Sequence, residues 1–249
     1  MAIHRNITRS EYEALPGINW SSLKAGNGRM GAHIRARQHQ PLKDSQALKF
    51  GRAFHILVLQ PELFNVAFTV IAGGKTTTKA DALTDEDMRK LGGMREAWDE
   101  LGLTVSERET ALTWTYGGVE CKGMIDGMES GAILDLKSTT NANPDAFAAE
   151  CFKFLYHGQM AWYSEGLRKN GIEPDGARIV AIEKDEPFAY ADFTLDPGWL
   201  DLGHRLADTL LEKYVDQSPA TYGRVILPVP EWADSEPLEL TIGGESVEM

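Results

Sequence analysis

Cysteine is scarce: Cys121 and Cys151 are the only two among 249 residues. Two thiols exclude a disulfide framework and any four-cysteine metal or iron–sulfur cluster. Long apolar runs are missing as well. No stretch approaches the roughly 20 apolar residues needed to cross a bilayer. The first residues, MAIHRNITRSEYEAL, are polar and hold no signal-peptide core. The expectation is a cytoplasmic protein with no membrane association. Positive charge is in deficit too, with 25 Lys and Arg against 37 Asp and Glu and a net charge of −12. What is plentiful is apolar residues, 43% of the chain, enough for a sizeable core.

The charge deficit is unevenly spread. Residues 1–60 hold nine Lys and Arg against Glu11, Glu13 and Asp44, a balance of +6, so the remainder carries −18. A basic arm beside an acidic body suits phosphate contacts on one side and metal ligation on the other. Ordinary scatter of surface charge fits the same numbers. On the first reading Arg29, Arg35, Arg37 and Arg52 are candidate phosphate contacts, with Lys122 as a fifth from the centre of the chain.

Local signals order the chain. Ser10 and Glu13 have capping-box spacing for a first helix, and Asn19-Trp20-Ser21 opens a second. Ser45 caps a helix from Gln46 to about Leu59, stopped by Pro61. Val66–Ala72 predicts a strand, residues 73–79 a mobile basic loop, and Thr84–Leu101 a helix with acids in its first turn. Thr110–Tyr116, Val119–Met128 and Ala132–Ser138 predict three antiparallel strands punctuated by Gly117-Gly118 and Ser130-Gly131. Asn143-Pro144 starts helices that run, with a break, to Lys169. Arg178–Glu183 and Ala189–Leu195 are two further strands, and Pro197–Val215 is the last helix. The order predicts a single α/β domain over residues 1–225, a central mixed β-sheet flanked by helices. Its first 60 residues form a basic helical segment, and an acidic tail follows from 226 to 249.

One turn permits a register calculation. With Ser130-Gly131 as a two-residue hairpin turn, partners across the ladder have numbers summing to 261, which sets Asp126 opposite Asp135. Side-chain alternation then projects Asp126, Asp135 and Lys137 from one face, the two carboxylates with Cβ atoms roughly 5 Å apart. Like charges so placed repel, and a hard divalent cation with oxygen ligands offsets them. Glu120, on the same face as Asp126, is a further acid in reach. The same alternation also fits a surface hairpin whose Leu134 and Leu136 face the core while Asp135 and Lys137 face water.

Asp126 followed by Asp135-Leu136-Lys137 resembles the motif of the PD-(D/E)XK nucleases, with Ile125 where the motif's name has proline. Three more segments resemble the RecB-like branch, in particular phage and prophage exonucleases of the RecE (exodeoxyribonuclease VIII) type. They are Asn19-Trp20-Ser21-Ser22-Leu23-Lys24, the run Gly51-Arg52-Ala53-Phe54-His55, and Gln159 to Tyr163, which matches a QxxxY motif. The resemblance implies a restriction-endonuclease-like core that hydrolyses DNA with Mg²⁺, Mn²⁺ being able to substitute. It implies catalytic roles for Asp126, Asp135, Lys137, Gln159 and Tyr163. It also implies metal ligation by His55, Asp126, Asp135 and the Leu136 carbonyl, and with DNA as substrate the five basic residues read from the charge asymmetry become candidate DNA contacts. Further implications are 5′→3′ digestion of linear double-stranded DNA in phage-type recombination, inside a bacterial host cell. A ring-shaped homo-oligomer and a partner single-strand annealing protein are implied too. Taken without the resemblance, the residues also suit a non-catalytic DNA-binding recombination scaffold or a site-specific endonuclease on the same fold.

Overall fold

Thr8, two residues before the expected cap, starts the first helix. Its hydroxyl accepts the Glu11 N–H while the Glu11 carboxylate accepts the Thr8 N–H at 2.7 Å, a reciprocal capping box. Ser10 therefore lies inside helix α1 (Arg9–Ala14), which follows strand β1 (Ala2–His4). The computed structural model describes residues 1–40, 45–71, 81–216, 218, 220–221, 240–242 and 245–247. Asn19 caps α2 (Trp20–Leu23), which leads to α3 (Gly31–Gln38). Ser45 caps α4 (Gln46–Leu59) with the predicted bounds, and Pro61 begins a separate turn.

Val66 falls in the short α5 (Phe64–Ala67), so the strand expected over 66–72 shrinks to β2 (Thr69–Ile71). The cause is a local aromatic pair. Phe64 and Phe68, four residues apart and both buried, meet at 5.7 Å and hold the turn helical. The basic loop expected over 73–79 lies outside the described residues. β2 pairs in parallel with β3 (Ala82–Thr84), and Thr84 caps α6 (Asp85–Glu100) in a second capping box with Asp87.

The central strands divide between two sheets. β4 (Thr110–Tyr116) and β5 (Val119–Ile125) join β1 in an antiparallel sheet of order β1-β4-β5. The chain then breaks at Asp126 and resumes as β6 (Gly127–Glu129), which pairs with β7 (Ala132–Thr139) in a different, four-stranded sheet. Helices α7 (Pro144–Phe154) and α8 (Tyr156–Lys169) carry the chain to β8 (Ala177–Glu183), parallel to β7. β9 (Tyr190–Thr194) completes the order β6-β7-β8-β9, and α9 (Pro197–Val215) follows. The α/β class with a mixed sheet between helices is as expected, but the predicted meander is not one continuous surface.

Both faces of the four-stranded sheet are covered. Ile133, Ile179 and Ala181 face a core built around Trp114, Trp162 and Leu210. Leu134, Leu136, Val180 and Ile182 face a second core with Phe54, Leu91 and Met94. The two readings of the hairpin are thereby reconciled. Leu134 and Leu136 do face a core, yet Asp135 on the opposite face is only 1% exposed because α8 packs there.

Residues 1–218 form one compact unit and 219–249 another. In the second, β10 (Leu240–Ile242) pairs antiparallel with β11 (Glu245–Val247). The expected boundary at 225/226 and most of the acidic tail lie outside the described residues. Among the described residues no helix is long and apolar enough to cross a membrane.

Candidate active site

The register around Ser130-Gly131 is the calculated one: Glu129 pairs with Ala132, Met128 with Ile133 and Gly127 with Leu134. Ser130 and Gly131 both have positive φ, as the tight hairpin requires. Beyond Gly127 the ladder ends. There the Asp126 carboxylate accepts the Leu136 N–H at 2.7 Å, and the Asp126 carbonyl accepts the Glu109 N–H at 3.1 Å. Asp126 thus joins the two sheets, its main chain tied to the β4 side and its side chain to β7.

That junction gathers a titratable cluster. From α4, His55 places Nδ1 3.5 Å from Asp126 Oδ1 and 4.0 Å from Glu109 Oε1. One ligating atom from each of His55, Glu109 and Asp126 lies within 4.8 Å of the others. Asp135 projects beside them, ion-paired with Lys137 and accepting from Gln159 Nε2 at 3.1 Å. The same Gln159 nitrogen lies 3.1 Å from the Tyr163 hydroxyl. Gln159 and Tyr163 are one turn apart on α8, which is pinned to β5 by a Trp162 Nε1–H bond to the Lys122 carbonyl. Gly123 makes room for this packing, since a Cβ there would stand 2.9 Å from the Tyr163 ring. His55, Glu109, Asp126, Lys137, Gln159 and Tyr163, with Leu136, line a cleft of about 530 Å³, and the buried Asp135 is bonded to Lys137 and Gln159 of that lining.

Burial and mutual charge set the protonation pattern. Burial, then the neighbouring Asp126, pushes Glu109 up to about 7. Burial pushes Asp135 up to about 6 against the pull of Lys137. For His55, burial pulls down, but Asp126 and then Glu109 outweigh it and raise the imidazole to about 9. Burial opposes ionisation of Asp126 as well, yet His55 and Lys137 hold it below the usual carboxylate range. Burial also disfavours the Lys137 ammonium, and Asp135 with Asp126 reverses that, so its amine is held above the ordinary lysine value. Near neutral pH the imidazolium and the ammonium are therefore the cations that offset crowded carboxylates. One imidazole nitrogen and several carboxylate oxygens lining one cleft fit a divalent cation, which would take over that offsetting charge.

Glu109 is the residue that sequence reasoning missed. The signal was present: applied to Gly117-Gly118, the same register arithmetic pairs Tyr116 with Val119 and, extended, Glu109 with Asp126. The pairs from Tyr116–Val119 to Thr110–Ile125 follow that register. Glu120 is exposed at the far end of β5 and does not reach the site.

The basic residues sort differently from the expectation. Among the described residues, Arg52 lines the cleft, joined by Arg9 and Lys24, and Arg29, Arg35, Arg37 and Lys122 do not. Lys122 is buried and donates to the carbonyls of Tyr12, Glu13 and Leu15, closing the end of α1. It has no path to a phosphate. Arg35 donates to the Tyr214 carbonyl at 3.1 Å and to Asp216, capping α9. Arg37 donates to the Gln40 carbonyl, and Arg29 is exposed on the turn before α3.

The family model of a PDDEXK-like domain of unknown function (DUF3799) matches residues 21–218. No curated protein matches the chain in sequence. Among solved structures, a candidate exonuclease from Eubacterium rectale superposes with a TM-score of 0.64 at 15% identity, covering 92% of this chain and 97% of its own. A phage-related exonuclease from Haemophilus somnus 129PT aligns at 11% identity and a TM-score of 0.39, over 81% of this chain and 96% of its own. LHK-Exo in complex with dAMP aligns at 12% and 0.40, over 83% and 92%.

Proposed function

The chain belongs to the PDDEXK-like DUF3799 family, and from that premise we propose that it is a metal-dependent deoxyribonuclease digesting linear duplex DNA from its ends. The observation that carries this reading is the convergence of His55, Glu109, Asp126 and Lys137 on one cleft, with the buried Asp135 ion-paired to Lys137 beneath them. Glu109, Asp126 and His55 hold the metal, with Asp135 and the Leu136 carbonyl as the remaining oxygen donors. Bound Mg²⁺, or Mn²⁺ in its place, supplies Lewis acidity and a water of lowered pKa.

The chain's own groups do the rest. Lys137, kept charged by its carboxylate neighbours, stabilises negative charge on the attacked phosphate; it is poorly suited to act as a base. Gln159 fixes the Asp135 carboxylate through one hydrogen bond and lies against Tyr163 with the same nitrogen. Arg9, Lys24 and Arg52 sit at the rim of the cleft, whose own acids are Glu109 and Asp126, placed to receive the backbone phosphates.

The shared fold with the candidate exonuclease from Eubacterium rectale favours end-directed digestion over internal cutting. A 5′→3′ direction, a role in phage-type recombination, a ring of copies and a single-strand annealing partner are supported by the motif resemblance. Intact acids and lysine favour an enzyme over a DNA-binding scaffold. Divalent-cation-dependent release of nucleotides from linear duplex DNA, and its absence with circular duplex, tests the proposal.

A further inference from the structure

Tyr156 connects the cleft to the outside of the domain. Its ring lines the cleft and lies 4.8 Å from Lys137 Nζ. Phe147, buried, backs it at 6.3 Å. Its other neighbour is Phe154, stacked at a centroid distance of 5.8 Å with planes 29° apart. Phe154 is 43% exposed, and Lys153 Nζ lies 5.4 Å from its ring.

The two rings meet only because the helix breaks between them. Residues two apart on a continuous helix do not face each other. Here Leu155 adopts φ 60° and ψ 40°, a left-handed conformation unfavourable for a side chain with a Cβ, and the chain turns from α7 into α8. Leu155 caps α7 and packs with Tyr156 against the core, which accounts for one side of the break but leaves Phe154 in water. Strained residues of this kind gather where a particular juxtaposition is needed.

Resting on the nuclease reading, we propose that Phe154 and Tyr156 form a stacking platform for unpaired bases of the DNA strand held in the cleft. Lys153 accompanies the platform as a contact to that strand's backbone. The flat faces begin beside Lys137, where the reacting phosphate sits, and continue outward. Aromatic stacking tolerates any base, as digestion of arbitrary sequence requires. A strand also has to be separated from its complement before one end can enter a cleft of this size, so unpaired bases are present at that position.

The test uses the full chain with Ca²⁺, under which binding is followed without appreciable turnover. Affinity is measured for a fluorescent single-stranded oligonucleotide and for a blunt duplex, with 2-aminopurine in the single strand reporting stacking by quenching. Phe154→Ala is expected to weaken single-strand binding about tenfold, the loss of one stacked base, and to relieve the quenching. Phe154→Leu, which keeps apolar cover but lacks a flat face, should do the same, while Phe154→Trp should retain both signals. Wild-type affinity and quenching in the Ala and Leu variants overturn the proposal. So does a changed molecular mass with unchanged DNA binding, which makes Phe154 a contact between copies. Wild-type digestion of DNA with no effect of Phe154 removes the platform alone. No binding and no digestion by the wild type removes the nuclease reading with it.

Discussion

The Asp126 carboxylate accepts the Leu136 main-chain N–H at 2.7 Å, taking up the hydrogen bonding of β7 where its ladder with β6 has ended. One side chain thus fixes the spacing between the two acidic strands and carries a negative charge into the cleft. These two duties can be separated. Asp126→Asn keeps an oxygen acceptor and is expected to melt near the wild type yet lose hydrolysis by at least ~10²-fold. Asp126→Ala leaves a buried N–H without a partner and should cost a further 1–3 kcal/mol or so of stability. Urea unfolding of both proteins, alongside their rates, checks the pair of outcomes. Equal stability in the two variants would mean that the hydrogen bond holds nothing in place.

Glu109 and Glu120 make a matched comparison for metal binding. Glu109 shares the cluster with His55 and Asp126, whereas Glu120 is exposed at the other end of β5. Glu109→Gln should weaken Mn²⁺ binding, measured by calorimetry, by tenfold or more, on the order of one charged ligand. Glu120→Gln should leave it unchanged. The reverse ranking would move the metal site away from the sheet junction.

The protonation pattern predicts how stability varies with pH. Folding raises Asp135 to about 6, Glu109 to about 7 and His55 to about 9 from ordinary values of 3.8, 4.5 and 6.5. Each group therefore binds its proton more tightly in the folded state. Its stabilising contribution is full below its ordinary value and is lost as pH rises through the folded one. Asp126, shifted the opposite way, matters only below its ordinary 3.8. In EDTA the Tm should fall as pH rises from 6 to 9, and Mg²⁺ should flatten the fall by offsetting the carboxylates. A Tm that is level or rising over this interval in EDTA contradicts the cluster's electrostatics.

Much of the site was legible because local rules governed it. Ser45 and Pro61 bracket the helix that carries His55, and the Ser130-Gly131 turn sets the strand register to the residue. The break at Asp126 was not legible, since a side chain replaces a ladder bond there and alternation is blind to that. Glu109 was within reach of the same arithmetic, but Glu120 sat on the expected face and drew attention instead. Lys122 misled for a tertiary reason. Its strand face points toward the N-terminal segment, and α1 folds over the ammonium, an event that no local pattern records.

Phosphate contacts are predicted to follow the cleft rim and not the whole basic arm. Replacing Lys24 and Arg52 together with Ala should weaken duplex binding and flatten its salt dependence by roughly 0.9 in log–log slope per lost contact. Lys122→Met should leave that slope alone and lower stability instead, because the carbonyls of Tyr12, Glu13 and Leu15 lose their donor. Binding titrations from about 50 to 200 mM salt discriminate these outcomes. A flatter slope from Lys122→Met and none from the rim pair would reverse the assignment.

The central claim is that this cleft hydrolyses DNA from an end using Asp135 and Lys137. It is tested most directly by incubating linear duplex labelled at its 5′ or its 3′ end, and covalently closed circular duplex, with purified protein in Mg²⁺ or EDTA. Wild-type protein should release the 5′ label early as mononucleotides and spare the circle. EDTA, Asp135→Asn and Lys137→Ala should each reduce release by at least ~10²-fold. Cutting of the circle at a comparable rate, or full release by either variant, contradicts the account.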